Sequence, residues 1–159
     1  MVTIIGGISI MKKIITIFSM MILFIFPQYV NATIGEDEVA LGGLSVRSDI
    51  STAVNIYGQP DRKNGQSYYW GNGFEVRADN NNRINWIETT ADNGISTPSN
   101  LKVGSSVNDL YRIYGRPDNS WVELQGSAYV YQYEGGWNTL IFTAQNDKII
   151  KIVATKNIK

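Results

Sequence analysis

Apolar residues recur along this chain at two different periods. Ile50, Ala53, Val54 and Tyr57 are spaced i, i+3, i+4 and i+7, and so are Val107, Leu110, Tyr111 and Tyr114, which places each set on one face of a helix. After the first helix the period falls to two. Phe74, Val76 and Ala78 alternate with Glu75 and Arg77, as in a strand with one buried and one wet face. The pattern predicts strands over Ser67–Trp70, Phe74–Ala78 and Arg83–Thr90, and again near Ala128–Tyr133, Thr139–Thr143 and Lys148–Ala154. Gly71-Asn72-Gly73, Asp79–Asn82, Glu134-Gly135-Gly136 and Ala144–Asp147 supply the turns between them.

The two helices belong to a duplicated stretch. Leu44–Asp61 and Leu101–Asp118 agree at eight of eighteen positions without a gap, the mark of an internal repeat. Both copies encode the same boundaries. Asp49 with Thr52, and Ser106 with Asp109, suit the free N–H groups of a helix start. Gly58 and Gly115 suit the left-handed residue after a helix end, and Pro60 and Pro117 forbid continuation. The expected fold is therefore α+β: two tandem repeats, each a short helix followed by a three-stranded antiparallel meander, with the helices packed on one face of the sheet. Repeat 1 spans 44–90 and repeat 2 spans 101–159, joined by an exposed, Asn/Ser/Pro-rich linker over 91–100. Unpaired meander edges imply pairing between the repeats, or a weak dimer in place of a monomer.

The start of the chain has a different character. Lys12 and Lys13 precede an apolar run of thirteen residues, Ile14–Phe26, and Val30-Asn31-Ala32 places small or apolar side chains at −3 and −1 of a cleavage site. Residues 1–32 read as a signal peptide cut after Ala32, with Met11 as the true start. The run is short for a bilayer span, and the expected destination is the periplasm, the cell envelope or the medium, with no membrane span in the mature chain. Residues 33–43, with Glu36, Asp37 and Glu38, read as a flexible acidic tail.

Composition narrows the chemistry. Without Lys12 and Lys13 the chain carries twelve basic and fourteen acidic side chains, a balance that argues against nucleic-acid binding. It has no His and no Cys, which removes Ser-His and Cys-His nucleophiles, His-ligated metals, thiolate sites and a lipid-bearing cysteine. An exported domain stabilised by its core alone points to a bacterial source. No catalytic residue, metal site or cofactor is expected. Asp61 and Asp118 recur at one repeat position and could serve a carboxylate-based hydrolase only if they converged; the simpler reading is that each caps the turn after its proline.

A short capped helix ending Tyr-Gly-x-Pro-Asp, preceded by Leu-x-Val and followed by a meander, resembles the repeat of β-lactamase-inhibitory proteins. It is also similar to the related single-repeat lipoproteins of outer-membrane assembly. The resemblance covers most of Leu44–Ala154 and implies a concave sheet surface that grips a protein partner with aromatic side chains. The chain departs from the inhibitors in having no disulfide and from the lipoproteins in having no cysteine to acylate.

The aromatic content agrees with a contact surface: nine Tyr and four Trp, the residues that dominate protein interfaces. Tyr69 and Trp86 fall out of phase with the buried strand positions and are expected on the open sheet face. Tyr129 and Tyr131 form a one-sided stripe with Tyr133, Trp137 sits at a hairpin tip and Trp121 in a loop. Tyr69, Trp86, Tyr129, Tyr131 and Trp137 are thus the candidate partner-binding residues, against the competing reading that strand aromatics fill the core beneath the helices. The expected function is an exported, non-enzymatic module binding a protein or peptide, in one form an inhibitor. The alternatives are a structural or assembly component of the cell envelope and, more remotely, the hydrolase.

Overall fold

A computed structural model of the protein describes residues 34–123 and 129–156, which belong to one compact unit, Asn31–Lys159. The expected signal segment lies outside the described residues.

Helices α1 (Ile50–Tyr57) and α2 (Val107–Tyr114) form where the apolar spacing and caps place them. The Asp49 carboxylate accepts the Ser51 N–H at 2.9 Å, and the Ser106 hydroxyl accepts the Asp109 N–H at 3.0 Å. Gly58 and Gly115 take positive φ, +79° and +70°, and their N–H groups close the last turns onto Val54 and Tyr111. Two turns of helix are not stable alone. Ile50 and Ala53 of α1, and Leu110 and Tyr114 of α2, join one core cluster with Phe74, Val76, Ile87, Tyr133, Phe142 and Ile152 of the sheet.

The sheet corrects the expected fold class. The described residues are mostly β, with two short α-helices against ten strands, and the arrangement is not two units of one helix and a three-stranded meander. Strands β1 (Ala40–Leu41) and β2 (Leu44–Ser45) form a small hairpin. The other eight make one antiparallel sheet: β3 (Arg62–Asn64), β4 (Ser67–Trp70), β5 (Phe74–Ala78), β6 (Ile84–Thr89), β7 (Asn119–Val122), β8 (Tyr129–Gly135), β9 (Asn138–Gln145) and β10 (Lys148–Lys156), in the order β3-β4-β5-β6-β10-β9-β8-β7. Four consecutive strands follow each helix. Besides the small hairpin, the strands missing from the expectation are the two outermost of the large sheet, β3 and β7. Every residue in both is exposed, so neither carries the apolar alternation by which a half-buried strand is recognised.

The centre of the sheet is the pairing of β6 with β10. Thr89 faces Ile152 and Ile87 faces Ala154, all buried. Matching positions of the duplicated stretch tie each helix to its hairpin with the same bonds. Arg47 N–H donates to Ile84 O (2.6 Å) as Gly104 N–H donates to Ile149 O (2.8 Å), and Ile50 N–H reaches Asn82 O as Val107 N–H reaches Asp147 O. Asn82, Asn146 and Asp147 take positive φ in the turns that accept these bonds, a conformation that Asn and Asp tolerate better than most residues.

Two further expectations change. The supposed flexible acidic tail is part of the core: Glu36–Glu38 is a 3-10 turn, and Ile34, Val39 and Leu41 beside it are buried. Val39 packs so closely on Gly135 that a Cβ there would lie 2.6 Å from Val39 Cγ2. Glu38 accepts from Ser99 Oγ at 2.9 Å and from Tyr114 OH at 2.8 Å, while Asn138 Nδ2 donates to Glu36 at 3.0 Å. The acidic residues are thus hydrogen-bond acceptors for α2, β9 and the linker. The linker is open over Asp92–Gly94 and again at Pro98 and Asn100, but Ile95 and Thr97 are buried, and Gly42 N–H donates to Ser96 O at 2.8 Å.

Candidate functional site

Strand register assigns every side chain of the sheet to a face, because directly paired residues share one. The first face, under the helices, carries Trp70, Phe74, Val76, Ile87, Phe142 and Tyr133. Across the second face run two rows. One is Arg62, Tyr69, Glu75, Glu88, Val153 and Ile141; the other is Ser67, Arg77, Trp86, Thr155, Thr139 and Glu134.

At the β3–β6 end these rows interlock cations with rings and carboxylates. The Arg62 guanidinium lies 4.1 Å from the Tyr69 ring centroid and that of Arg77 lies 4.9 Å from the Trp86 ring, both within cation–π range. Arg77 Nε also donates to Glu75 Oε1 at 2.6 Å, and Ser67 Oγ donates to the same oxygen at 2.9 Å. Partial burial pushes the Glu75 carboxyl up, but the bonds from Arg77 and Ser67 outweigh it and hold the group below its ordinary value of 4.5. A carboxylate so held stabilises the fold above that value, and the contribution fades as the pH falls through the lower folded-state pKa. The stability difference between the parent and Glu75→Gln is therefore expected to be widest at neutral pH and to shrink in acid, read from urea midpoints across pH. A difference that grows in acid would contradict the assignment.

The five sequence-derived candidates do not converge. Tyr69 and Trp86 lie on the second face, where the open-face expectation put them, but each has one ring face covered by an arginine. The Trp86 indole N–H is buried without a partner among the described residues. Tyr129 and Tyr131 lie on the first face, since they pair with Ala144 and Phe142. Tyr131 packs edge-on against Tyr111 of α2, with ring centroids 5.6 Å apart; burial, with Tyr111 nearby, pushes its hydroxyl up to about 12. Trp137 is exposed at the β8–β9 turn.

What the structure does bring together is a group that sequence reasoning divided. Trp121 (46% exposed), Val122 (48%), Tyr129 (56%) and Tyr111 (41%) lie on or beside the outer strand β7, Trp121 on the second face and the other three on the helix side. Val122 pairs with Tyr129 and Ser120 with Tyr131 on the first face, while Trp121 pairs with Val130 on the second. Beside β7 on the helix side is a shallow cavity of about 540 Å³ lined by Tyr111, Arg116, Pro117 and Ser120. No sequence signal marks this group: Tyr111 holds an apolar helix position like its buried neighbours Leu110 and Tyr114, and β7 carries no apolar alternation.

The carboxylates singled out for hydrolysis have structural roles. Asp61 Oδ2 accepts the Gly71 N–H at 2.6 Å, and Asp118 Oδ2 accepts the Glu134 N–H at 2.7 Å. Each pins its own hairpin, and the pair sits at opposite outer ends of the sheet. Glu75 and Glu88 are cross-strand neighbours facing a cavity of about 380 Å³ that Asp61 also lines. Among the described residues no group of three or more Asp or Glu side chains gathers to hold a metal. No helix among them is long and apolar enough to cross a membrane.

No family model matches the sequence, and no curated protein matches it significantly. Solved structures do. A DUF4309 family protein, YjgB, from Bacillus subtilis subsp. subtilis str. 168 is similar with a TM-score of 0.54 at 14% identity, over 72% of this chain and 82% of that one. A cysteine-rich secretory protein from Staphylococcus aureus subsp. aureus Mu50 is similar with a TM-score of 0.50 at 14% identity, over 70% of this chain. The match spans only 44% of the staphylococcal chain. At such identity the likeness concerns the fold alone.

Proposed function

We propose that this chain is an exported bacterial binding module, without catalytic activity, that holds a protein or peptide partner at the β7–β8 end of its sheet. The observation that carries the reading is the exposure of Tyr111, Val122 and Tyr129 on the first face of one sheet edge, with Trp121 exposed on its second face. Large apolar side chains scattered singly over a surface need no explanation, but several gathered at one sheet edge mark a contact surface. Export is supported by the basic and apolar pattern of residues 12–32. A non-enzymatic role is supported by the absence of His and Cys from the sequence and by the structural use of Asp61 and Asp118.

The test is a capture experiment on the envelope and medium of the producing organism, with residues 31–159 as bait. That span contains the whole core cluster, Ile34 to Ala154. A Trp121→Ala, Tyr129→Ala variant and a Tyr69→Ala, Trp86→Ala variant, each checked for native circular dichroism, serve as comparators. A defined partner held by the parent and by the second variant, but lost by the first, is the expected result. Loss only in the Tyr69/Trp86 variant would move the site to the second face, and turnover of a substrate by the bait would end the non-enzymatic reading.

A further inference from the structure

The two outer strands of the large sheet are treated differently. An edge strand exposes unpaired N–H and C=O groups, and proteins commonly blunt such edges with charge, proline or a bulge. β3 is blunted: Arg62 stacks on Tyr69, and Lys63 lies 4.6 Å from the Tyr68 ring, so two cations are fixed along that edge. β7 reads Asn119-Ser120-Trp121-Val122, with no charge, no proline and an unbroken register against β8. It is fully exposed and flanked by the cavity of Tyr111, Arg116 and Pro117.

We propose that β7 accepts an added strand: an extended peptide segment pairs with its outer edge and places an aromatic side chain in the cavity beside Tyr111 and Pro117. The inference rests on the binding-module reading above and specifies its mode. Strand addition takes affinity from main-chain hydrogen bonds and specificity from pockets for alternate side chains, and both parts are present at this edge. Trp121 on the second face would cover the peptide residues that point away from the cavity. A second copy of the chain is a poorer occupant. Antiparallel pairing of β7 with itself keeps each face together, so the copy would offer only Ser120 and Val122 on the helix side. Those short side chains would leave the space beside Tyr111 and Pro117 open. The opposite edge is disfavoured for self-pairing because it would bring the cations of the two copies, Arg62 and Lys63, side by side.

The probe is a display library of short random peptides selected on residues 31–159, followed by synthesis of the enriched peptides and an N-methyl scan along each. Strand addition gives a period-two result: methylation at alternate residues weakens binding about tenfold or more, because main-chain bonds are lost, and methylation between them is tolerated. Ser120→Pro is expected to abolish binding and Trp121→Lys to weaken it strongly. Because Trp121→Lys changes only an exposed residue, it keeps the test alive should Ser120→Pro fail to fold. Enriched peptides that tolerate methylation throughout, or bind both variants like the parent, would overturn strand addition while leaving the binding module intact. Failure to enrich any peptide would overturn strand addition alone if the capture experiment still yields a partner, and both readings if it does not. A concentration-dependent dimer in sedimentation, lost in Trp121→Lys, would assign the edge to a second copy instead.

Discussion

Replacing Leu41 by Ala is expected to lower the unfolding free energy by about 2–5 kcal/mol, the usual range for truncating a buried leucine. Leu41 is fully buried although it belongs to a stretch whose composition reads as a mobile tail. It sits in β1, paired with Leu44, and shares the core cluster with Ile50, Ile87 and Ile152. The N-terminal segment is therefore a closing element of the first face, placed against β6 and β10 at the centre of the sheet. Urea denaturation monitored by far-UV circular dichroism measures the effect. A change within about 0.5 kcal/mol, as for an ordinary surface position, would show that the segment is dispensable and that its packing does not stabilise the fold.

Ala154→Asp is expected to remove a large part of the folding free energy, enough to unfold a domain at the lower end of the usual stability range. Ala154 is fully buried at the central pairing, between Ile87 of β6 and Leu140 of β9. A carboxylate there meets no described cation, and an uncompensated buried charge costs about 3–5 kcal/mol or more, against a typical total stability of about 5–15 kcal/mol for a domain. Because both sets of four strands share one core cluster across this seam, the loss should be global, with native tryptophan fluorescence and far-UV signal disappearing together. Slowly exchanging amides of β4–β6 report on one set of strands, those of β8–β10 on the other. A variant in which one set kept its protection against hydrogen exchange would show two independent cores. Ala154→Ser, which adds one small polar group, should be far milder.

Much of the local structure was legible because it depends on neighbours in sequence. Both helix ends follow from Asp49 with Gly58 and from Ser106 with Gly115, and β4 and β5 begin and end where the pattern placed them. Trp86 fell on the second face because its phase relative to Ile87 is a local fact, fixed by the alternation of a strand. Tyr129 and Tyr131 could not be assigned in that way. Their stripe is one-sided in the sequence, but which side faces the helices depends on register against Phe142 and Ala144 of another strand, and a slip of one residue would reverse it.

The sequence by itself determined the duplicated helix with its caps, the turns, the inner strands and the absence of histidine and thiol chemistry. These are set by apolar period, by residues that tolerate or forbid particular φ values, and by composition. Only the tertiary structure decided that β3 and β7 exist, that β6 joins β10 into one sheet, that residues 34–41 close the core, and that Tyr111, Trp121, Val122 and Tyr129 come to one edge of the sheet. The reason is common to all four. An edge strand is held by main-chain bonds to one neighbour and needs no apolar pattern of its own. Likewise, a short segment such as Val39-Ala40-Leu41 becomes core only because distant elements, Gly135 among them, leave room for it.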